Sequence, residues 1–312
     1  MISRSYHLVD VFTDRPFGGN PLAVFLEGEG ISEATMRAVA KELNLSETTF
    51  VLPPRDPACD FRVRIFTPAE ELPMAGHPTV GTTFVLTHAG LVRPGDRRTH
   101  ITLEEGVGPI PVTIDWAEGR PSFIEMRQPL PEFGSPIEDR KSVAEMLSLE
   151  PEALVANLPI QVVSCGVPFL YVPVKSLEAI RRVRFRIDVA ERLKLPAGNT
   201  FVFTMETEVT GSNVHSRMLA PLLGVPEDAA TGAASGPLGC YLVRHGVIRS
   251  EGELRCVSEQ GIEMGRPSFI HIRVQHAGPE ITAVYVGGTC CYMGSGQLQL
   301  PGEDSGQKNA AG

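Results

Sequence analysis

A largely antiparallel α+β protein built from two similar halves is the fold class this sequence predicts, and three observations carry the prediction. Short stretches that alternate apolar and polar residues dominate the chain. Helical patterns are few. A shift of 156 residues lays PMAGHPTVGTTFVLTHAGLV (73–92) on AATGAASGPLGCYLVRHGVI (229–248), and that shift is half the 312-residue length. Many strands with few helices close into barrels or strongly bent sheets. A repeat at half the chain length implies two such units.

In chain order, YHLVDVF and PLAVFL read as strands. Residues 32–43 read as a helix, with Ser32 placed to cap its start and Asn44 its end. FRVRIF puts Phe61, Val63 and Ile65 on one face and Arg62 and Arg64 on the other, a half-buried strand. LPMAGHPTVG then opens a helix. Pro78 suits the first helical position, where its missing N–H costs nothing, and leaves His77 at or beside the N-cap. No charge occurs from Thr79 to Thr87, and a helix apolar all round is a buried one. PVTIDW, QVVSCG, FLYVPV, TFVFT and NVHSRML continue the strand pattern, with helices following Lys141 and beginning near Asp188. The second copy is uncharged from Ala229 to Val243 and equally interior, although Pro237 predicts a kink or an irregular first turn. Both copies close on a glycine, Gly90 and Gly246, suited to a left-handed C′ position. FIHIRV and ITAVYVGG complete the strands, and the small polar residues of 301–312 predict a disordered tail.

Composition narrows the function classes. A net charge of −9 opposes nucleic-acid binding, which needs a basic footprint. No uncharged apolar run reaches the roughly 18 residues that span a bilayer, and MISRSYHLVDVF lacks the form of an export signal, so a cytoplasmic protein is expected. Cys59, Cys165, Cys240, Cys256, Cys290 and Cys291 are scattered without C-x-x-C spacing, which favours free thiols over disulfides or zinc. H-E-x-x-H, G-x-x-x-x-G-K-[ST] and a strand-borne G-x-G-x-x-G are absent, so no metal and no nucleotide cofactor is expected.

What remains is the pair of buried helix starts. The first N–H groups of a helix lack partners, and with the positive end of the dipole they suit an anion such as a carboxylate. Two related halves could present such ends to one ligand held between the domains. Glu47, in NLSETTFV, is either a solvated turn residue or a carboxylate entering a buried strand with the pKa of an acid/base group. His77 either caps its helix or serves the site, and Ser, Thr, Asp or Asn would make the better cap. Asp228, in PEDAATG, is a good N-cap and an equal candidate for the site, while Glu227 beside it reads as exposed. Glu70 and Glu71 bring two more carboxylates to the first helix start, and spacing does not choose between them. No G-x-S-x-G occurs, and the A-x-S-x-P at 233–237 has no strand leading into it.

Taken together, NPLAVF, NLSETTFV, FTPAEELPMAGHPTVGT, EDAATGAASGPLGCYL, SEQGIEMGRPS and VGGT resemble the PhzF-like phenazine-biosynthesis isomerase/epimerase family, in order from about residue 1 to 300. The resemblance implies the diaminopimelate epimerase-like fold, two pseudo-symmetric domains that each wrap a barrel-like sheet around a central helix. It implies domains at 1–128 plus 289–300 and at 129–288, with the last strand returning to the first. It implies Glu47 as the proton-shuttling acid/base, and His77 and Asp228 as partners orienting the substrate. Gly76 and Gly232 become backbone donors to a substrate carboxylate. The reaction implied is a cofactor-free proton transfer between carbons of a small cyclic amino acid or unsaturated carboxylic acid, in a protein that forms homodimers in this family. Ala233 stands where the phenazine enzyme has a substrate-binding serine, which points to a different substrate. Ala75–His77 and Ala229–Ala233 hold no cysteine, which excludes the two-thiol chemistry of fold relatives such as proline racemases. The competing readings are a small-molecule-binding or interaction protein without turnover, and a hydrolase or lyase using the same carboxylate.

Overall fold

The computed structural model describes residues 1–195 and 197–302, apart from the side chain of Leu223. Most of the tail expected at 301–312 lies outside the described residues. The chain divides into two compact units. Among the described residues, the first holds Met1–Pro16, Pro21–Ile124 and residues 289–302, and the second holds Phe17–Asn20 and Glu125–Gly288.

In the first unit, Ile2–Val11 pairs antiparallel with Cys290–Leu300, from Ile2 against Leu300 to Val11 against Cys290. Asn20–Phe25 runs parallel to Glu47–Leu52, because Glu33–Leu43 crosses between them as a helix. Ser32 Oγ accepts from Thr35 N at 3.2 Å, and Asn44 ends the helix in the left-handed region, φ 50°. Phe61–Phe66 lies antiparallel to Glu47–Leu52 and parallel to Arg98–Glu105, which pairs antiparallel with Gly108–Ala117. The second parallel pair is again joined by a helix, Gly76–His88. That helix is buried almost throughout. A Cβ at Gly81 would lie 2.6 Å from the Val11 side chain and 2.7 Å from that of Leu22, so the helix backbone rests directly on those two strand side chains. On the other side Phe25, Phe50 and Phe66 stack edge and face beneath Glu33–Leu43.

The second unit repeats the scheme. Pro168–Pro173 is parallel to Thr200–Thr204, with the short helices Leu177–Arg182 and Ile187–Leu193 in the crossover. Val214–Ala220 is antiparallel to Thr200–Thr204 and parallel to Glu253–Gln260, with Gly232–Arg244 as the buried crossover helix. Ser268–Ala277 and Glu280–Gly288 continue the sheet antiparallel. Gly239 meets Ile272 and Val274 as Gly81 meets its strands.

The 156-residue shift superimposes the two 13-residue helices end for end. Both terminate alike: Gly90 and Gly246 have φ of 73° and 63°, and Leu91 and Val247 donate to Leu86 and Leu242 carbonyls at 3.0 and 2.9 Å. Each sheet is largely antiparallel, and parallel pairs enter it because each buried helix is itself a crossover. Two details differ from expectation. The first helix begins at Gly76, so Pro78 is its third residue and still within the turn whose N–H groups have no helical partner. Helical structure also continues unbroken through Pro237. Among the described residues, no helix is long and apolar enough to cross a membrane.

Candidate active site

Glu47 is the first residue of its strand, where the chain leaves the Asn44 stop and enters the ladder beside Leu22. His77 is the second residue of the first buried helix. Its Nε2 lies 3.1 Å from Glu47 Oε2, with the two side chains 4% and 15% exposed. No side chain caps the helix. His77 is therefore a partner of Glu47 rather than a cap. Burial pushes its pKa down to about 3, so the ring is neutral at any working pH. A neutral imidazole packed beside a carboxyl group can orient it without locking it into an ion pair. Gly76 stands beside them as the first residue of the helix.

The remaining acids near this helix fall outside the pair. Glu71 takes both ends of the Arg64 guanidinium, at 2.7 and 2.6 Å, and Glu70 is exposed. Glu105 is a group the sequence reading missed. It is buried at the end of its strand, with Oε1 2.5 Å from Thr79 Oγ1, and the Ala75 N–H faces the same carboxyl. Burial is the largest influence on the group and raises its pKa to about 8.

In the second unit Asp228 ends the short strand Val225–Asp228 and is buried. Asn20 Nδ2 donates to Asp228 Oδ1 at 2.7 Å, and Thr231 Oγ1 donates to Oδ2 at 2.6 Å. Gln260 completes the frame: its Nε2 donates to the Asp228 carbonyl at 2.8 Å, and its Oε1 accepts from Thr231 N at 3.1 Å. Asp228 is thus not an N-cap; Thr231 holds that position. The loop that supplies Asn20 is itself tied down, Arg266 donating to the Gly18 and Gly19 carbonyls at 2.8 Å each. Gly232 opens the helix, its carbonyl accepting from Gln128 Nε2 at 3.0 Å, and Ala233 beside it is buried. Glu227 is not exposed as expected: it forms a two-point pair with Arg217 at 2.8 and 2.7 Å. A repeat followed further would have found two of the missed residues. A shift of 155 sets Glu104-Glu105-Gly106 on Glu259-Gln260-Gly261, and both central residues serve the start of a buried helix.

One further polar cluster is buried. His215 Nδ1 lies 2.8 Å from Glu259 and Nε2 lies 2.9 Å from Glu263. Glu208, His215 and Glu263 bring ligand-type atoms within 4.8 Å of one another, but both ring nitrogens are engaged and Arg181 holds Glu208 at 2.7 Å. The cluster is therefore a closed ion-pair group. Burial opposes the charge on His215, but Glu263 and Glu259 outweigh it and raise the pKa above the ordinary 6.5. The stabilisation is present in full below 6.5 and fades as pH rises through the higher folded value. Glu263→Gln should therefore cost about 1–3 kcal/mol at mildly acidic pH and less in alkali, read from thermal midpoints. A deficit independent of pH would contradict this account.

Known proteins match this chain over nearly its whole length. Residues 9–296 match the PhzC-PhzF family, described as phenazine biosynthesis-like protein. The chain is 35% identical to the trans-2,3-dihydro-3-hydroxyanthranilate isomerase of Pseudomonas aeruginosa, covering 95% of this chain and 99% of that one. The crystal structure of the Bacillus anthracis phenazine biosynthesis protein of the PhzF family superimposes with a TM-score of 0.87 at 29% identity, covering 96% of this chain and all of the other (100%). A hydroxyproline epimerase from Agrobacterium vitis shares the fold at TM-score 0.64 and 14% identity, covering 95% and 91% of the two chains.

Proposed function

The chain belongs to the phenazine biosynthesis-like (PhzC-PhzF) family and is an isomerase, and on that premise we propose that it moves a proton between carbons of a small cyclic carboxylic acid with Glu47 as the acid/base. The observation that carries this reading is the Glu47–His77 pair: a carboxyl group 3.1 Å from a buried, neutral imidazole at an uncapped helix start. Glu47 takes a proton from a ring carbon, the C–H electron pair moves into the conjugated system, and the carboxyl returns the proton to a second carbon on the same face. No net acid, base or water is consumed, which separates the reaction from hydrolysis and elimination. His77 holds the carboxyl in position throughout. Each helix start, at Gly76 in the first unit and at Gly232 in the second, offers backbone N–H groups suited to a carboxylate. Asp228, fixed by Asn20 and Thr231, is set to orient a substrate amine or hydroxyl.

Two features bear on chemistry and substrate. No thiol stands at either helix start, and Cys240 is deep in the second helix with its pKa raised far by burial, which supports a carboxylate as the shuttle. Ala233 brings a methyl group rather than a hydroxyl, which favours a substrate with one polar group fewer at that point than the dihydro-hydroxyanthranilate of the Pseudomonas aeruginosa relative. Incubation in deuterium oxide with that compound, with cyclic amino acids and with cyclohexadiene carboxylates should show deuterium entering a ring carbon of at least one, read by proton NMR. No exchange into any member of the panel would overturn the proposed reaction.

A further inference from the structure

The contacts of Thr79 fix the protonation state of Glu105. Thr79 Oγ1 lies 2.6 Å from the Ala75 carbonyl and 2.5 Å from Glu105 Oε1. A hydroxyl has one hydrogen, and a carbonyl oxygen can only accept. Thr79 therefore donates to Ala75, and the contact with Glu105 needs a hydrogen from the carboxyl itself. Burial supports the same state independently, holding the carboxyl neutral up to about pH 8.

The second unit carries an uncharged side chain in the corresponding place. Gln260 accepts the N–H of Thr231, the residue before its buried helix, as Glu105 faces the N–H of Ala75 before the first. Gly106 and Gly261, next along the chain and 155 apart, approach Pro73 and Ala229 respectively, which correspond at the 156-residue shift, so the two side chains stand at matching places ahead of their helices. One repeat uses an amide and the other an acid that must be neutral to make the same contacts.

We propose that Glu105 is a positioning residue that keeps the first helix start receptive to an anionic substrate as long as it stays protonated, and that its ionisation expels the anion. This rests on the carboxylate reading of the helix start given above. An ionised Glu105 accepts the Ala75 N–H as a full charge and sets a negative group beside the N–H donors meant for the ligand. It also loses the hydrogen it gives to Thr79. Among the described residues, the other charged groups near this helix start are engaged elsewhere or belong to the proposed acid/base pair, Glu47 lying against His77. On its own strand, Glu104 turns to the Arg55 and Asp56 N–H groups and to Arg62. On the helix, His77 is neutral, and ahead of the helix Glu71 is taken by Arg64 while Glu70 is exposed.

Carbon-13 NMR of protein labelled at the glutamate carboxyls should show one resonance titrating well above the rest and absent from Glu105→Gln. Isothermal titration with 3-hydroxyanthranilate between pH 6 and 9.5 should show affinity falling about tenfold per pH unit above that midpoint in the parent protein. Glu105→Gln, which copies Gln260, should bind with the parent's neutral-pH affinity across the range. The uncharged 3-hydroxyanthranilamide should show no alkaline loss in either. Titration of Glu105 in the ordinary carboxylate range overturns the proposal, and so does an equal alkaline loss in Glu105→Gln. If neither protein binds the anion at any pH, both the proposal and the carboxylate reading of the site fall together.

Discussion

Glu47→Gln is expected to lower turnover by about 10²–10⁴-fold, the usual contribution of a positioned acid/base group, while leaving the fold in place. The substitution keeps the size and planarity of the side chain and can still bond to His77 Nε2, so the thermal midpoint should barely move. What it removes is the capacity to carry a proton from one carbon to another. Solvent deuterium should then no longer enter the substrate ring, and the loss should appear in kcat rather than in KM, since an amide still fills the site. His77→Asn is expected to cost less, because it disturbs only the orientation of a carboxyl that remains. The imidazole is neutral above about pH 3, so removing it should leave the shape of the pH–rate profile unchanged between pH 5 and 9. Equal exchange rates in the parent protein and Glu47→Gln would make Glu47 a structural residue.

The two buried helices were legible because their lack of charge and their common shift are properties of sequence alone. Glu47 and His77 stood out because each is a polar residue at the edge of an apolar run. Harder to read were Arg98–Glu105, Arg120–Gln128 and Glu253–Gln260, in which charged residues alternate with single apolar ones. Such strands have one buried face, and their exposed charges mask the period-two pattern. The start of the first helix was misplaced because Pro78 suits the first position, whereas a proline at the third position costs no helical bond either, and the helix begins two residues sooner at Gly76. Glu227 and Glu105 show the limit of residue-by-residue judgement. A carboxylate reads as exposed until the partner that buries it is known, and Arg217 and Thr79 lie 10 and 26 positions away. Asn20 is further removed still, 208 residues from Asp228, and spacing along the chain carries no sign of that contact.

Gly261→Ala is expected to be the most damaging single methyl among the glycines of the second unit. Its φ of 73° lies in the left-handed region, which costs an alanine roughly 1–2 kcal/mol. A Cβ there would also stand 2.5 Å from two backbone oxygens, those of Ala229 and Arg266. Neither is the tip of a flexible side chain, so relief requires the backbone itself to part, at a further ~1–3 kcal/mol. Gly265 separates the two terms: its φ of 71° is nearly the same, but a Cβ there meets nothing within 4 Å. Urea unfolding should therefore place Gly265→Ala about 1–2 kcal/mol below the parent, and Gly261→Ala lower again by the overpacking term. The consequences should reach the site as well. Ala229 follows Asp228 directly, and Arg266 holds the loop from which Asn20 reaches the Asp228 carboxylate. Backbone displaced at both points loosens the two anchors of that carboxylate together, so Gly261→Ala should raise KM where Gly265→Ala does not. Equal stability losses in the two variants would show that the carbonyl contacts yield freely, and that the close approach at Gly261 does not hold Asp228 in place.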